Sequence, residues 1–327
     1  MRKPIVFLVT ALLAAVGLLF LRTFQIEGID QVRVRPRGAG GDAVHTEAGS
    51  AVPSPRKDTI RIATFHVHAL GETKASKPHV MDLLARIVRR FDVVALQGIR
   101  ARSQDVIPQL VDLVNLTGTS YDYVLSQRLG PSTALEQYAF VYDRAAVEVD
   151  RDQLYTVDDP DDLLLREPYV AFFRTRGPAA DQAFTFTLVN VHVDPDQRAQ
   201  ELNMLDDVVH AVRADGRNED DVLILGNFQA DDQGLGQLGE VSHVVCAVSH
   251  LPTDTPGTQQ STNLVMSQLA TTEFTGRAGV FDFMREYNLT LDAALEVSDQ
   301  MPVWAEFSVY EGGRPGRVAT GDRSPSR

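Results

Sequence analysis

The chain has 327 residues, 44% hydrophobic and 23% charged, an ordinary globular composition that excludes disordered, collagenous and polytopic membrane classes. Its 31 basic and 44 acidic residues give a net charge of −13, and between residues 59 and 310 the balance is 19 against 37, or −18. A body this acidic argues against a nucleic-acid partner, because phosphate contacts rest on Lys and Arg.

In chain order, the first feature is a run of seventeen residues without charge, Ile5 to Leu21, flanked by Arg2, Lys3 and Arg22. At the helical rise it measures roughly 26 Å, enough to cross the hydrocarbon core if the flanking cations snorkel. Residues 1–22 therefore read as a membrane anchor or as a signal segment. The anchor is favoured because Leu18-Leu19-Phe20-Leu21 stands where a small-residue cleavage site would fall. Arg2 and Lys3 keep the amino terminus cytoplasmic. The expectation is a single-pass membrane protein, attached through residues 5–21, with its body on the non-cytoplasmic side; the alternative is a secreted or periplasmic protein after cleavage. Residues 23–58, rich in Gly, Pro and Arg (Arg33, Arg35 and Arg37 among them), read as a flexible linker, and residues 311–327 as a disordered tail.

The body alternates strand and helix patterns. Thr59–Val67 alternates as a strand, and Val80, Leu83, Leu84, Ile87 and Val88 follow at helical spacing. Asp92–Gln97 is a buried-strand run, and Gln104–Leu116 is helical again. Strands are expected at Tyr121–Ser126, Tyr138–Tyr142, Val147–Val157, Tyr169–Arg174 and Phe184–Val193. A helix over Asp196–Val212, a strand at Val222–Phe228 and a last strand near Val303–Val309 complete the pattern. Such an order predicts an α/β domain over residues 59–310 with mixed sheets and helices outside. A single cysteine, Cys246, excludes a disulfide framework and reads as a small buried residue. The acidic run Asp158–Asp162 lacks the glycine-turned spacing of a calcium loop and reads as a solvated turn.

Several short stretches carry a resemblance when taken together: GETKASK (Gly71–Lys77), ALQGIR (Ala95–Arg100), EQYAFVY (Glu136–Tyr142), VNVHVDP (Val189–Pro195), LILGNFQAD (Leu223–Asp231), STNLV (Ser261–Val265) and SDQMPV (Ser298–Val303). In this order they resemble the deoxyribonuclease I-like members of the endonuclease/exonuclease/phosphatase superfamily. The likeness implies a four-layered β-sandwich, two mixed sheets flanked by helices. It also implies a Mg²⁺-dependent phosphodiester hydrolase whose ligands sit at the carboxyl ends of the central strands.

By that resemblance His192 matches a catalytic histidine, Glu136 the acid that orients it, Asp299 a metal-binding aspartate, and Arg100 and Arg166 arginines near the scissile phosphate. Other positions depart from the pattern. Gly98 replaces the metal-binding glutamate, Asn227 and Gln229 the aspartate and asparagine of GDFN, Thr262 a further aspartate, Gln300 the second histidine and His66 the opening asparagine. Without those carboxylates the hold on a hard dication is lost, and Gln300 has no proton to exchange near neutrality. The expected function is a membrane-anchored domain of this family that has lost hydrolysis and serves as a binding or scaffold module, with no cofactor, or Mg²⁺ where activity is retained. The alternative is an active hydrolase with an altered site that uses His192, Glu136, Asp299, Arg166 and His66 on a phosphoester other than duplex DNA. Separately, His66, His68 and His192 with Asp194 or Asp299 have the donor types of a transition-metal site.

Overall fold

The computed structural model describes residues 58–313. The apolar run of residues 5–21, residues 23–57 of the expected linker and residues 314–327 of the expected tail lie outside the described residues; the expected disorder does not extend to Glu311–Gly313, where the Glu311 amide donates to the Gln182 carbonyl at 3.0 Å. Among the described residues no helix is long and apolar enough to cross a membrane.

Two sheets form the centre. The first comprises β1 (Thr59–Leu70), β2 (Val93–Ile99), β3 (Tyr121–Leu125), β4 (Gln137–Asp143), β12 (Phe274–Val280) and β13 (Val303–Ser308), in the order β12-β13-β1-β2-β4-β3. The second comprises β5 (Val147–Val149), β7 (Tyr169–Thr175), β8 (Thr185–His192), β9 (Val222–Asn227), β10 (Val244–Cys246) and β11 (Thr262–Ser267), ordered β10-β11-β9-β8-β7-β5, with β6 (Tyr155–Thr156) paired to β7. Each sheet is mixed. Strands β1 and β2 run parallel, as do β8 and β9, and their neighbours are antiparallel.

The period of two along each strand sorts side chains into layers. In β8, Phe186 and Leu188 enter the core between the sheets, where they meet Ile62, Val93 and Phe140 of the first sheet. Val189 and Val191 of the same strand face the opposite way, onto Leu202, Leu205, Val208 and Val212 of helices Arg198–Leu202 and Leu205–Arg213. Ala63, Phe65 and Val67 of β1 likewise pack on helices Pro78–Val88 and Val106–Asn115. Three apolar layers thus separate four layers of structure, and each fully buried Phe or Leu contributes about 1.5–3 kcal/mol.

The structure differs from the sequence expectations in four places. The expected helix over Asp196–Val212 is two helices, interrupted at Asn203 and Met204. The expected strand Val147–Val157 is broken by a 3₁₀ turn at Arg151–Gln153, where Asp150 caps the turn by accepting from the Asp152 amide. Strands β10 to β12 were not apparent from periodicity: β12 is a half-exposed edge strand with two glycines. Cys246 is half-buried rather than buried, and burial pushes its thiol up to about 12.

Candidate active site

The strand order brings the positions singled out in the sequence to one edge of the sandwich. β1 and β2 lie side by side with His66 opposite Gln97. β8 and β9 end together with His192 opposite Asn227, and Thr262 of β11 pairs with Asn227 from the other side. The segment Ser298–Gln300 closes over this edge: Ser298 Oγ donates to the His66 carbonyl at 2.7 Å, and Gln300 Oε1 accepts from Ser261 Oγ at 2.7 Å and from Thr262 Oγ1 at 3.3 Å.

Glu136 is the hub. Its side chain is buried, and its Oε2 lies 2.8 Å from His192 Nδ1. Arg100 donates to Oε1 from Nε at 2.9 Å and from Nη2 at 2.6 Å. Arg166, also buried, stands 3.9 Å from Oε2 and reaches Asp194 at 3.6 Å. Burial alone would raise the Glu136 carboxyl, but His192, Arg166 and Arg100 outweigh it and hold it at about 2. For His192 burial is the larger influence and pushes it down to about 4, against the pull of Glu136. The pair is therefore a neutral imidazole and an ionised carboxylate at pH 7, which fixes the proton on Nδ1 and leaves Nε2 as the basic nitrogen. That is the protonation state a general base requires. Tyr138, buried beneath, accepts from the His192 amide through its hydroxyl at 3.0 Å and fixes the strand end.

Arg100 and Arg166 were expected beside a phosphate. In the structure both stand beside Glu136, Arg166 also beside Asp194, and of the two Arg100 alone keeps an exposed side chain.

On the other side of His192 stands His66, with ring centroids 4.5 Å apart. His66 is buried and its Nδ1 has no hydrogen-bond partner. Asp299 lies 3.7 Å from that nitrogen and 3.8 Å from Nδ1 of the exposed His68, so the two histidines share a side of β1 as their spacing predicts. Burial works to raise Asp299, but His66 and His68 together leave it below the usual carboxylate range.

Gly98 sits in a bulge of β2, where the register with both neighbours shifts, at φ +77°. A Cβ placed there would lie 2.5 Å from the Val67 carbonyl oxygen and 3.0 Å from His66 Nε2. The imidazole of His66 fills the space into which a side chain at position 98 would project. Asn227 is buried, and its Oδ1 accepts from the Gln229 amide at 3.1 Å, which holds Gln229 in a left-handed turn. Mg²⁺ requires several hard oxygen ligands in near-octahedral array. Of the positions matched to the family's metal carboxylates, Asp299 alone is acidic, and imidazole takes the glutamate's place. These residues do not fit Mg²⁺.

Two features escaped the sequence reading. Gln97, buried under the site, donates from Nε2 to Thr64 Oγ1 at 2.9 Å and to Asn190 Oδ1 at 2.7 Å across the two sheets, while Asn190 Nδ2 donates to the Leu96 and Ala139 carbonyls. Their signal is a polar residue inside an otherwise apolar strand. Lys74 donates to the Val297 carbonyl at 2.7 Å, and burial pushes its amine down to about 8 despite Asp299 nearby. Beside the Asn227 turn, an open groove is lined by Arg198, Gln229, Asp231, His250 and Gln260.

The two mixed sheets thus carry a histidine–glutamate pair at one edge, with Asp299 of the segment before β13 beside it. Residues 63–234 match the endonuclease/exonuclease/phosphatase family, and the chain belongs to that family. It is 30% identical over 268 residues to deoxyribonuclease gamma of Rattus norvegicus, covering 75% of this chain and 83% of the relative. Deoxyribonuclease-1-like 1 of the same organism is 33% identical, covering 79% and 84%, and deoxyribonuclease-1 of Bos taurus 30% identical, covering 75% and 91%. Among solved structures, truncated TDP2 of Caenorhabditis elegans superposes with a TM-score of 0.53 at 15% identity over 76% of this chain and 98% of that one, which supports the shared fold.

Proposed function

We propose that this domain has given up Mg²⁺-dependent phosphodiester hydrolysis and acts as a binding or scaffold module, held at a membrane by residues 5–21 with its body on the non-cytoplasmic side. One observation carries the reading: His66 Nε2 lies 3.0 Å from the position of a Cβ at Gly98. The glutamate place is therefore both emptied of charge and filled with a ring. Asn227, Thr262 and Gln300 add neutral groups where the family has carboxylates or a histidine. The relatives' names say deoxyribonuclease, but a body of net charge −18 opposes a polyanionic substrate, and fold alone does not fix function. The full chain, assayed on bis-nitrophenyl phosphate and on duplex DNA with Mg²⁺, Mn²⁺ or Ca²⁺, is expected to show no turnover. Turnover that His192→Ala abolishes would refute this.

A second reading has its own support. The buried, unpartnered Nδ1 of His66 faces Asp299, with His68 on the far side of the carboxylate. Two imidazoles and one carboxylate suit Zn²⁺ or Mn²⁺, and His192 held neutral by burial could accept a proton from water. An altered hydrolase acting on a phosphoester other than duplex DNA would follow. Calorimetric titration with a panel of divalent metals separates the readings, since failure of every transition metal to bind eliminates the second.

A further inference from the structure

The outermost strand of a sheet presents N–H and C=O groups that can take up another strand, so every edge needs some form of closure. Among the described residues most edges are closed by their shape. Strands β5 and β10 have three residues each and β6 has two, while β12 is interrupted by a register shift between Phe274 and Ala278. Strand β3 has no such defence. Its five residues pair with β4 in unbroken register, from Tyr121 opposite Asp143 to Leu125 opposite Ala139.

Side chains close this edge instead. The Arg144 amide donates to the Ser120 carbonyl and the Ser126 amide to the Tyr138 carbonyl, so the even-numbered residues bond toward β4, and Tyr121, Tyr123 and Leu125 turn their backbone groups outward. Asn115 takes both groups of Tyr121: its Oδ1 accepts the amide at 2.7 Å and its Nδ2 donates to the carbonyl at 2.9 Å. The Tyr123 amide donates to Asp122 Oδ1 at 2.8 Å, and the Tyr123 carbonyl accepts from Arg151 Nη2 at 3.0 Å. The same Nη2 donates to Asp122 Oδ2 at 2.8 Å and to the Tyr142 hydroxyl at 3.0 Å, which locks the arginine to the carboxylate. Arg151 lies in the turn that follows β5 of the other sheet, so the closure is brought in from a distant part of the chain.

We propose that the outer edge of β3 is a pairing surface for a second copy of this chain, held shut by Asn115, Asp122 and Arg151. The occupant follows from the strand itself. Antiparallel pairing centred on Val124 sets Tyr123 of each copy opposite Leu125 of the other, an aromatic–aliphatic contact repeated across a two-fold axis. Both side chains are half-buried against the helix layer, so pairing covers apolar surface that the single chain leaves in water. The lock itself is weak: the Arg151 side chain is 52% exposed and that of Asp122 35%, and ion pairs so open to solvent contribute little. Two side chains thus decide whether the first sheet ends at β3 or continues into another molecule.

Sedimentation velocity of the full chain tests this, alongside Asp122→Ala/Arg151→Ala, which frees both outward backbone groups of Tyr123. The double variant is expected to dimerise with an association constant at least about tenfold above that of wild type. Adding Leu125→Pro, which removes an outward N–H and leaves the bonds to β4 whole, is expected to return it to the wild-type level. Thermal melting checks that each variant is folded. Should the double variant melt without cooperativity, Arg151→Ala alone, a change at an exposed residue, reads the same equilibrium. A folded open-edge variant that associates no more than wild type, or an added association that Leu125→Pro leaves in place, would overturn the proposal.

Discussion

The imidazole of His66 and the bare Cα of Gly98 are complementary: one ring nitrogen lies 3.0 Å from where a side chain at position 98 would begin. Gly98→Glu, the change that restores the family's carboxylate, is therefore expected to harm the protein before it helps. At φ +77° a side chain costs about 1–2 kcal/mol, and the 2.5 Å approach to the Val67 carbonyl adds to it. A fall in melting temperature of at least about 4 °C follows, with a flat Mg²⁺ titration. Adding His66→Asn should recover part of the loss. A single variant as stable as wild type that binds Mg²⁺ would contradict the packing argument.

Glu136→Ala is expected to be severe. It strips the carboxylate from between His192, Arg100 and the Arg166 side chain, which is 4% exposed. Arg166 then keeps Asp194 at 3.6 Å but loses one of its two carboxylates, a change that costs up to about 3–5 kcal/mol at a buried charge. Urea unfolding should show that loss, and His192→Ala, which leaves Arg166 and Arg100 paired with Glu136, should lose distinctly less.

Both members of the pair make the fold sensitive to acid. The His192 imidazole, about 4 in the folded chain and near 6.5 when unfolded, takes up its proton first in the unfolded state. Stability therefore falls as pH drops from about 6.5 toward 4. The Glu136 contribution is present above its unfolded value of about 4.5 and is lost as pH falls toward 2. Thermal melts from pH 7.5 to 3 should stay level down to about pH 6.5 and decline below it, and His192→Asn should flatten the part above pH 4.5. An unchanged slope in that variant would mean that other groups set the acid limit.

Asn190→Ala removes the acceptor of Gln97 Nε2 and the donor to the Leu96 and Ala139 carbonyls. Each buried group left unsatisfied costs about 1–3 kcal/mol. Because these contacts cross between the sheets directly beneath His66 and His192, the variant should also loosen the site. Denaturation gives the stability, and faster amide exchange at His192 would report the loosening.

The central strands were legible because their residues are apolar and β-branched: Val93–Ile99 and Val222–Asn227 could hardly be anything but buried sheet. Strand β12 was not, because Gly276 and Gly279 and its half-exposed edge position erase the alternation. The break at Asn203 and Met204 was hidden since both flanking segments keep the same apolar face on β8 and β9. For the site, the replaced residue types could be read directly. What they do to one another could not: 66 and 98 are distant in the chain, and only the parallel pairing of β1 with β2 puts an imidazole over a glycine. The two arginines carried the right charge, but only the structure reveals that both stand beside Glu136 and that Arg166 also reaches Asp194.

The tight fit over Gly98 also bears on the history of the chain. With the ring in place a side chain at position 98 is crowded by His66 and by the Val67 carbonyl, and with the ring removed first Gly98 loses the neighbour that lies against it. A lineage carrying this combination must change positions 66 and 98 together before a side chain can be seated at 98 without strain.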